Sequence, residues 1–460
     1  IHSNDSKANS AYSAEVSAVC ELPSPTVAIS NDAETGKPKV TWDAVPGAAK
    51  YKVYRATSKS GTYSLKKTVE DTSYIDTSAT AGKTYYYRVV AVSAGGVQSK
   101  KSNVVSRLCD LARPEITLSN VASTGKIKVA WAEVEGTVEY KVYRATSEDG
   151  KYTLLKTTTS KSYTDTSADV GETYYYKVRA IAENTSANSA YSEIKSLICK
   201  LERPVVEISV SASTGKIKLE WAEIEKATDY EIYRSDNENA PVETVTEISW
   251  IDETAVLGTE YTYRVKALAE NADANSAKST ADSAIRTLPR PTLNAMTNDA
   301  ATGGNVVSWK AVEDAVGYEV YRASSKDGTY TLKKETTEES YTDTSGTPGK
   351  TYYYKVKAIA EMPEANSAFS SVKSRMRDLA QPVITLSNVA SSGKIKVTWA
   401  EVEDAVEYEV YRATSEDGKF ELVKTTTSKS YTNTSAVAGE TYYYKVRAIA
   451  ENTSANSAYS

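Results

Sequence analysis

Tryptophan recurs in this chain at a nearly constant interval: Trp42, Trp131, Trp221, Trp309 and Trp399 are 89, 90, 88 and 90 residues apart. A period of that length marks copies of one structural unit, each large enough to enclose a core of its own. The sixth tryptophan, Trp250, stands where the other copies carry Tyr74, Tyr163, Tyr341 and Tyr431, so it is a substitution inside the pattern. Residues 1–20 match the end of a unit, as in AENTSANSAYSEIKSLIC at 182–199. The expected divisions are 1–20, the last strand of a preceding unit, then 21–109, 110–199, 200–286, 287–377 and 378–460, with the last strand of the final unit incomplete.

Inside a unit the apolar residues alternate, and no helical period of useful length occurs. The second unit reads PEITLSNV, a turn at STGK, IKVAWAEV, EYKVYRAT, a turn at SEDGKY, YTLLKTT, SYTDTS, TYYYKVRAIA and SAYSEIKSLI, which makes seven strands. The Asp149-Gly150 pair, repeated as Asp327-Gly328 and Asp417-Gly418, is a turn signal, because glycine tolerates the positive φ that tight hairpin turns require. The composition suits pleated sheet: 34 Tyr stand against 2 Phe, 3 Met and a single His.

Alternation also sorts the faces. Tyr140 and Val142 share one side of the third strand, with Lys141 and Tyr143 on the other. In TYYYKVRA, Tyr174, Tyr176, Val178 and Ala180 face inward, leaving Tyr175, Lys177 and Arg179 opposite. The third unit writes TEYTYRVKA, replacing only the middle tyrosine, by Thr262, so the middle position is expected to be exposed.

A tryptophan on the second strand, Tyr-x-Val/Ile-Tyr on the third and Thr-x-Tyr-x-Tyr-x-Val-x-Ala on the sixth resemble fibronectin type III domains. The wording VYRATSxDGxY…SYTDTS…GxTYYYKVxA is similar to the bacterial versions in surface proteins and in spacers of secreted polysaccharide-degrading enzymes. The resemblance covers essentially the whole chain. It implies an all-β fold, a tandem array of seven-stranded immunoglobulin-like sandwiches of two antiparallel sheets. It also implies that Tyr85, Tyr174, Tyr261, Tyr352 and Tyr442 are corner tyrosines whose hydroxyls tie down a crossing loop, joining the five tryptophans as structural core. The loops where animal modules carry RGD read SAGGVQSKKS, ENTSANSAYS, ENADANSAKS and EMPEANSAFS, so integrin binding by that route is not supported.

The outward aromatics form a candidate binding face: Tyr54, Tyr86, Tyr143, Tyr175, Tyr321, Tyr353, Tyr411 and Tyr443, with Tyr233 at the matching place in the third unit. Such rings can serve as platforms for sugar rings or for a host protein. They can equally be ordinary residents of a half-exposed sheet that stack on adjacent Lys and Arg.

Catalysis is not expected. Nucleophilic triads and most metal sites need histidine, and the only one, His2, lies in the fragment at the start. Asp76, Asp165, Asp252 and Asp343 recur at the end of the fifth strand, but the fifth unit has Asn433 there, which keeps an acceptor and loses the acid; turn capping is the role that fits every copy. No cofactor motif is present. A net charge of -5, from 55 Lys and Arg against 60 Asp and Glu, offers no basic surface for nucleic acid, and no apolar run reaches bilayer length.

Cys20, Cys109 and Cys199 each precede the opening proline of a unit by five residues, while Arg286 and Arg377 hold that place later. Equivalent points of successive domains are too far apart for a disulfide, which needs Cα atoms within about 7 Å. The thiols read either as small, partly buried hydrophobes or as interchain cross-links. Asn-x-Ser/Thr sequons at Asn4, Asn184, Asn433 and Asn452 matter only in a eukaryotic host.

Linkers such as CDLARP and CKLERP have no Gly-Ser run and carry a proline, so the joints are expected to be stiff. With strands rising roughly 3.3 Å per residue, a unit would be about 35–40 Å long and the array a rod on the order of 180 Å. The role expected is a non-catalytic segment of a bacterial extracellular stalk, adhesin or surface fibre, whose partners are neighbouring copies or flanking domains of the same long chain; a glycan- or host-protein-binding module and a spacer in a secreted glycan-degrading enzyme are the alternatives. The ends are ragged: residues 8–20 look like a seventh strand without its domain, and Ser460 falls just inside another seventh strand. Either a window cut from a longer chain or a filament built by strand exchange accounts for this.

Overall fold

A computed structural model describes residues 11–460 and Asn4; His2 and the rest of 1–10 lie outside the described residues. The chain divides into two compact units. One runs to Pro204 and takes in Ile224–Thr228 and Lys266–Lys278; the other comprises Val205–Glu223, Asp229–Val265 and Ser279–Ser460.

The second repeat shows the local plan. Strands Ile116–Asn120, Ile127–Trp131 and Ser162–Asp165 form a three-stranded antiparallel sheet with Ile127–Trp131 in the middle. Strands Thr153–Thr158, Thr137–Ala145, Thr173–Ala182 and Lys195–Ile198 form a four-stranded sheet in that order. The first, third and fourth repeats have the same three-plus-four arrangement, and the fifth has three plus three among the described residues. Every described sheet pairing is antiparallel, which suits strands with one face packed and one wet.

Alternation placed the core correctly. Tyr140, Val142, Tyr174, Tyr176, Val178 and Ala180 are buried and join Ile127, Val129 and Trp131 in one cluster. Trp131 meets Tyr140 at 5.3 Å between ring centroids, and the Tyr140 hydroxyl accepts from Val134 N at 2.9 Å. The tyrosine ring is thereby buried with its polar tip satisfied, whereas the buried Trp131 Nε1 has no hydrogen-bond partner. The same tryptophan–tyrosine contact recurs in each repeat.

Two local expectations need correction. Gly150, Gly328 and Gly418 do not adopt positive φ. Their glycine answers to a close approach: at Gly150 a Cβ would fall 2.6 Å from Ser147 Oγ and 3.0 Å from Ser147 O. The seventh strand is also shorter than SAYSEIKSLI implied, covering only Lys195–Ile198. Ahead of it the chain is stitched to the sixth strand by serines. Ser189 N donates to Ala180 O while Ser189 Oγ accepts from Ala180 N at 2.9 Å, and Ser192 does the same with Val178. Side-chain oxygens thus take the place of ladder carbonyls, and the stretch is bonded without being a regular strand.

Candidate functional site

The outward face of the four-stranded sheet is an aromatic–cation cluster, assembled differently from the sequence expectation. Strand register places Lys177 directly opposite Tyr143, and Tyr175 opposite Ala145 and Ser196. Tyr143 and Tyr175 are therefore diagonal neighbours. Tyr143 meets Tyr191 edge-on, with centroids 5.4 Å apart. The Lys177 ammonium lies 4.0 Å from the Tyr152 ring centre and 4.5 Å from that of Tyr191, and Arg179 adds a contact at 5.3 Å.

The plan repeats. Tyr321 packs edge-on against Phe369, with Lys355 over Tyr330 and Phe369. Tyr411 packs against Tyr459, with Lys445 over Phe420 and Arg447 over Tyr459. In the first repeat Arg88 covers Tyr63, and Lys101 approaches Tyr54. The middle tyrosines Tyr86, Tyr175, Tyr353 and Tyr443 are half-buried, not freely exposed; Tyr233 is buried, and its hydroxyl donates to Glu231 at 2.6 Å. Desolvation and that carboxylate push the Tyr233 phenol up to about 12. Tyr152, Tyr191, Phe369 and Tyr459 escaped the sequence reading, although an aromatic in the sixth place of SEDGKY or the fifth of ANSAYS was the available signal.

A second constellation is buried. Asp165, fully enclosed at the end of the fifth strand, caps a turn as expected: its Oδ1 accepts from Ser167 N at 3.1 Å and Ser167 Oγ at 2.7 Å. Its other oxygen accepts from Arg144 Nη1 at 2.7 Å and from the Tyr176 hydroxyl at 2.8 Å. Arg144 also stacks 4.5 Å over Tyr174, whose hydroxyl accepts from Asp169 N at 3.1 Å, the corner-tyrosine bond. Corner bonds of this kind are made by Tyr85, Tyr352 and Tyr442 too.

Burial alone would push the Asp165 carboxyl up, yet hydrogen bonds from Ser167, Tyr176 and Arg144 together outweigh it and hold the group below the usual carboxylate range. Desolvation, with the neighbouring carboxylate, drives the Tyr176 phenol up. Asp76 with Arg55 and Tyr87, Asp252 with Arg234 and Tyr263, and Asp343 with Arg322 and Tyr354 reproduce the node. An acid locked ionised under a guanidinium has no proton to give, so this is a structural device and not an acid–base centre.

Tyr85, Tyr174 and Tyr261 are core residues, as expected, whereas Tyr352 and Tyr442 are half-buried. Gly346 stands beside Tyr352 where the earlier repeats have Ala79, Ala168 and Ala255, which removes a methyl from the ring's flank. Tyr442 has no facing seventh-strand residue among the described residues.

Of the three candidate interchain thiols only Cys20 is exposed. Cys109 and Cys199 have no accessible surface, and the Cys199 thiol donates to Ala168 O at 3.5 Å. Desolvation pushes both buried thiols up, so neither is presented to a second chain nor activated as a nucleophile. Arg286, at the same place, sends Nη1 to Ala255 O at 2.7 Å, the counterpart of Ala168 O. Asn433 is fully buried and cannot serve as a glycan acceptor.

No family model matches the chain. Exoglucanase B of Cellulomonas fimi is 30% identical over 259 residues, covering 51% of this chain and 22% of that protein. Fibronectin type III domain-containing protein 7 of Mus musculus is 23% identical over 371 residues, covering 80% of this chain and 48% of that one. The chain thus spans between about a fifth and a half of the length of these curated relatives. A crystal structure of a Fn3-like protein from Clostridium thermocellum is 35% identical across 92% of its own length and 19% of this chain, with a TM-score of 0.18. With these similarities, the chain belongs to the fibronectin type III family as a tandem array of such domains.

Proposed function

We propose that this chain is a non-catalytic spacer within a bacterial extracellular or cell-surface protein, a stalk, adhesin or surface fibre in which the repeats set reach. One observation supports this above others: the charged groups that recur in register are consumed by structural pairing. Each buried carboxylate is held by an arginine and a tyrosine, and the outward rings are covered by lysine and arginine from their own face. A fold of this type hosts many roles, so the reading rests on the pairing of these groups among the described residues and not on the fold.

Small-angle scattering on the 460-residue chain tests it. A maximum dimension on the order of 180 Å is expected from five units in line. A particle with the radius of gyration of a 460-residue globule, roughly 23 Å, would end the proposal.

A spacer inside a secreted glycan-degrading enzyme is the second reading, favoured by the similarity to an exoglucanase. The flanking sequence of the native polypeptide decides between them, since a glycoside hydrolase domain there would favour the second. Glycan or host-protein binding at the outward tyrosines would require displacing the cations that now cover their neighbours; glycan-array binding abolished by Tyr175→Ser and Tyr353→Ser would revive it.

A further inference from the structure

At four points the residue that leaves one repeat and the residue that enters the next are adjacent in sequence, and both backbone amides are bonded. Asp110 N donates to Gly36 O at 2.9 Å, in the first turn of the repeat being left, and Leu111 N donates to Ala187 O at 2.8 Å, in the repeat being entered. The pair recurs as Lys200 to Gly125 (3.1 Å) with Leu201 to Ala274 (2.8 Å), and as Thr287 to Gly215 (3.0 Å) with Leu288 to Ala365 (2.8 Å). Asp378 to Gly303 (3.1 Å) with Leu379 to Ala455 (2.8 Å) is the fourth. Each leucine side chain is buried, and Leu111, Leu288 and Leu379 belong to the core cluster of the repeat they enter. Between Asp110 and Leu111, and between Asp378 and Leu379, no residue is left over to hinge.

The receiving turn is the ETGK, STGK or TGGN stretch, and its glycine does more than adopt positive φ. At Gly36, φ +69°, a Cβ would fall 2.5 Å from Asp110 O, with the Leu111 carbonyl closer still. At Gly125 it would meet Leu201 O at 2.6 Å, at Gly303 Leu379 O at 2.7 Å, and at Gly215 the Thr287 carbonyl. These obstacles are backbone atoms of a segment fixed at both ends, so they cannot swing aside as a side chain would. Gly393, in the fifth repeat, has the same φ of +69° in the same turn and nothing within 4 Å. Five glycines therefore share a conformational requirement, and four carry a second, steric one.

We infer that this first-turn glycine is a docking surface for the backbone that leads into a following repeat: its partner is a short segment ending in a leucine that plugs into the next core. Stiffness at a joint is set by that contact and not by linker length or by Pro114. The inference deepens the spacer reading, which supplies its purpose, while the contact geometry stands apart from it.

The test uses the 460-residue chain with Gly36→Ala and, as control, Gly393→Ala, which place the same methyl at the same φ. Hydrogen exchange at the Asp110 and Leu111 amides should quicken about ten-fold or more in Gly36→Ala, since these bonds report local opening, and stay at the unsubstituted rate in Gly393→Ala. In a Cys20→Ser background, spin labels at the exposed Thr68 and Thr157 should give a wider distance distribution in Gly36→Ala alone. Equal exchange and equal widths in the two variants would overturn the inference by leaving only the shared φ strain. Should Gly36→Ala unfold the first repeat, Asp110→Pro deletes the donor and leaves the glycine; a broadened distribution supports the docking role, and an unchanged one overturns it. Scattering from a compact particle would remove the spacer reading and leave these outcomes as they are.

Discussion

The second and fifth repeats are near copies, PEITLSNVASTGKIKVAWAEV against PVITLSNVASSGKIKVTWAEV, yet their buried nodes differ in one residue, Asp165 against Asn433. In the second, a single carboxylate oxygen accepts from both Arg144 (2.7 Å) and Tyr176 (2.8 Å). In the fifth, Asn433 Oδ1 accepts from Arg412 at 3.1 Å and from Ser435 Oγ at 2.9 Å, while its Nδ2 donates to the Tyr444 hydroxyl at 2.6 Å. The tyrosine has turned from donor to acceptor. Arg412 also lies farther from its corner tyrosine, 5.2 Å against 4.5 Å for Arg144. What the node requires is an acceptor for the arginine and the turn, and a partner for a buried phenol; negative charge strengthens it but is not a condition of the fold.

That distinction can be broken most forcefully by removing the acceptor outright. Asp165→Ala leaves the Tyr176 hydroxyl buried without its partner and Arg144 facing a void, a loss of the kind that costs about 3–5 kcal/mol when one member of a buried pair is deleted. Hydrogen exchange resolved by repeat should show the second repeat losing protection while the first keeps its own. A uniform small loss across repeats would mean the node is not what holds the sandwich. Asp165→Asn, which imports the fifth repeat's solution, should cost less, roughly 1–2 kcal/mol, because the amide can re-pair as Asn433 does. If the two substitutions are equally damaging, charge and not acceptor geometry is the requirement.

Acid provides a milder version of the same contrast. Asp76, Asp165, Asp252 and Asp343 are held below the usual carboxylate range by hydrogen bonds that outweigh their burial. Their folded values lie under the unfolded value of about 3.9, so each contributes stability that is complete above that pH and is lost as pH falls through the folded value. Titration below pH 4 should therefore weaken the first four repeats through this node while the fifth, with Asn433, is spared that loss. Asp165→Asn should flatten the acid dependence of the second repeat alone, as read by exchange or by intrinsic fluorescence of single-tryptophan variants.

Much of this was legible in the residues. The tryptophan period gave the repeat, and period-two alternation sorted Tyr174 and Tyr176 from Tyr175 without error, because a sheet packed on one face punishes any slip of register. The same parity put Arg144 two positions after Val142, on the core side, but an arginine is ordinarily read as solvated, so the guanidinium's place beneath Asp165 passed unseen. Tyr191 and Tyr459 were missed for a different reason. They sit where serine hydroxyls replace ladder carbonyls, and a stretch bonded in that way has no strand period to follow. The joint contacts were hidden because the motif STGK announces a turn equally well whether or not another segment lies against it.

The finest probe of the comparison runs in reverse. Asn433→Asp should restore the double acceptor seen in the second repeat, drawing Arg412 in and turning the Tyr444 hydroxyl back into a donor. The gain at neutral pH should be small, about 1 kcal/mol or less, because a buried ion pair gives back much of its attraction as desolvation and the amide already satisfies every partner. The telling result is the pH dependence the substitution creates: the fifth repeat should begin to lose protection below pH 4 in step with the second. A gain that persists unchanged through that range would place it outside the carboxylate, in packing or in the unfolded chain, and would separate the two repeats by something other than Asp165 and Asn433.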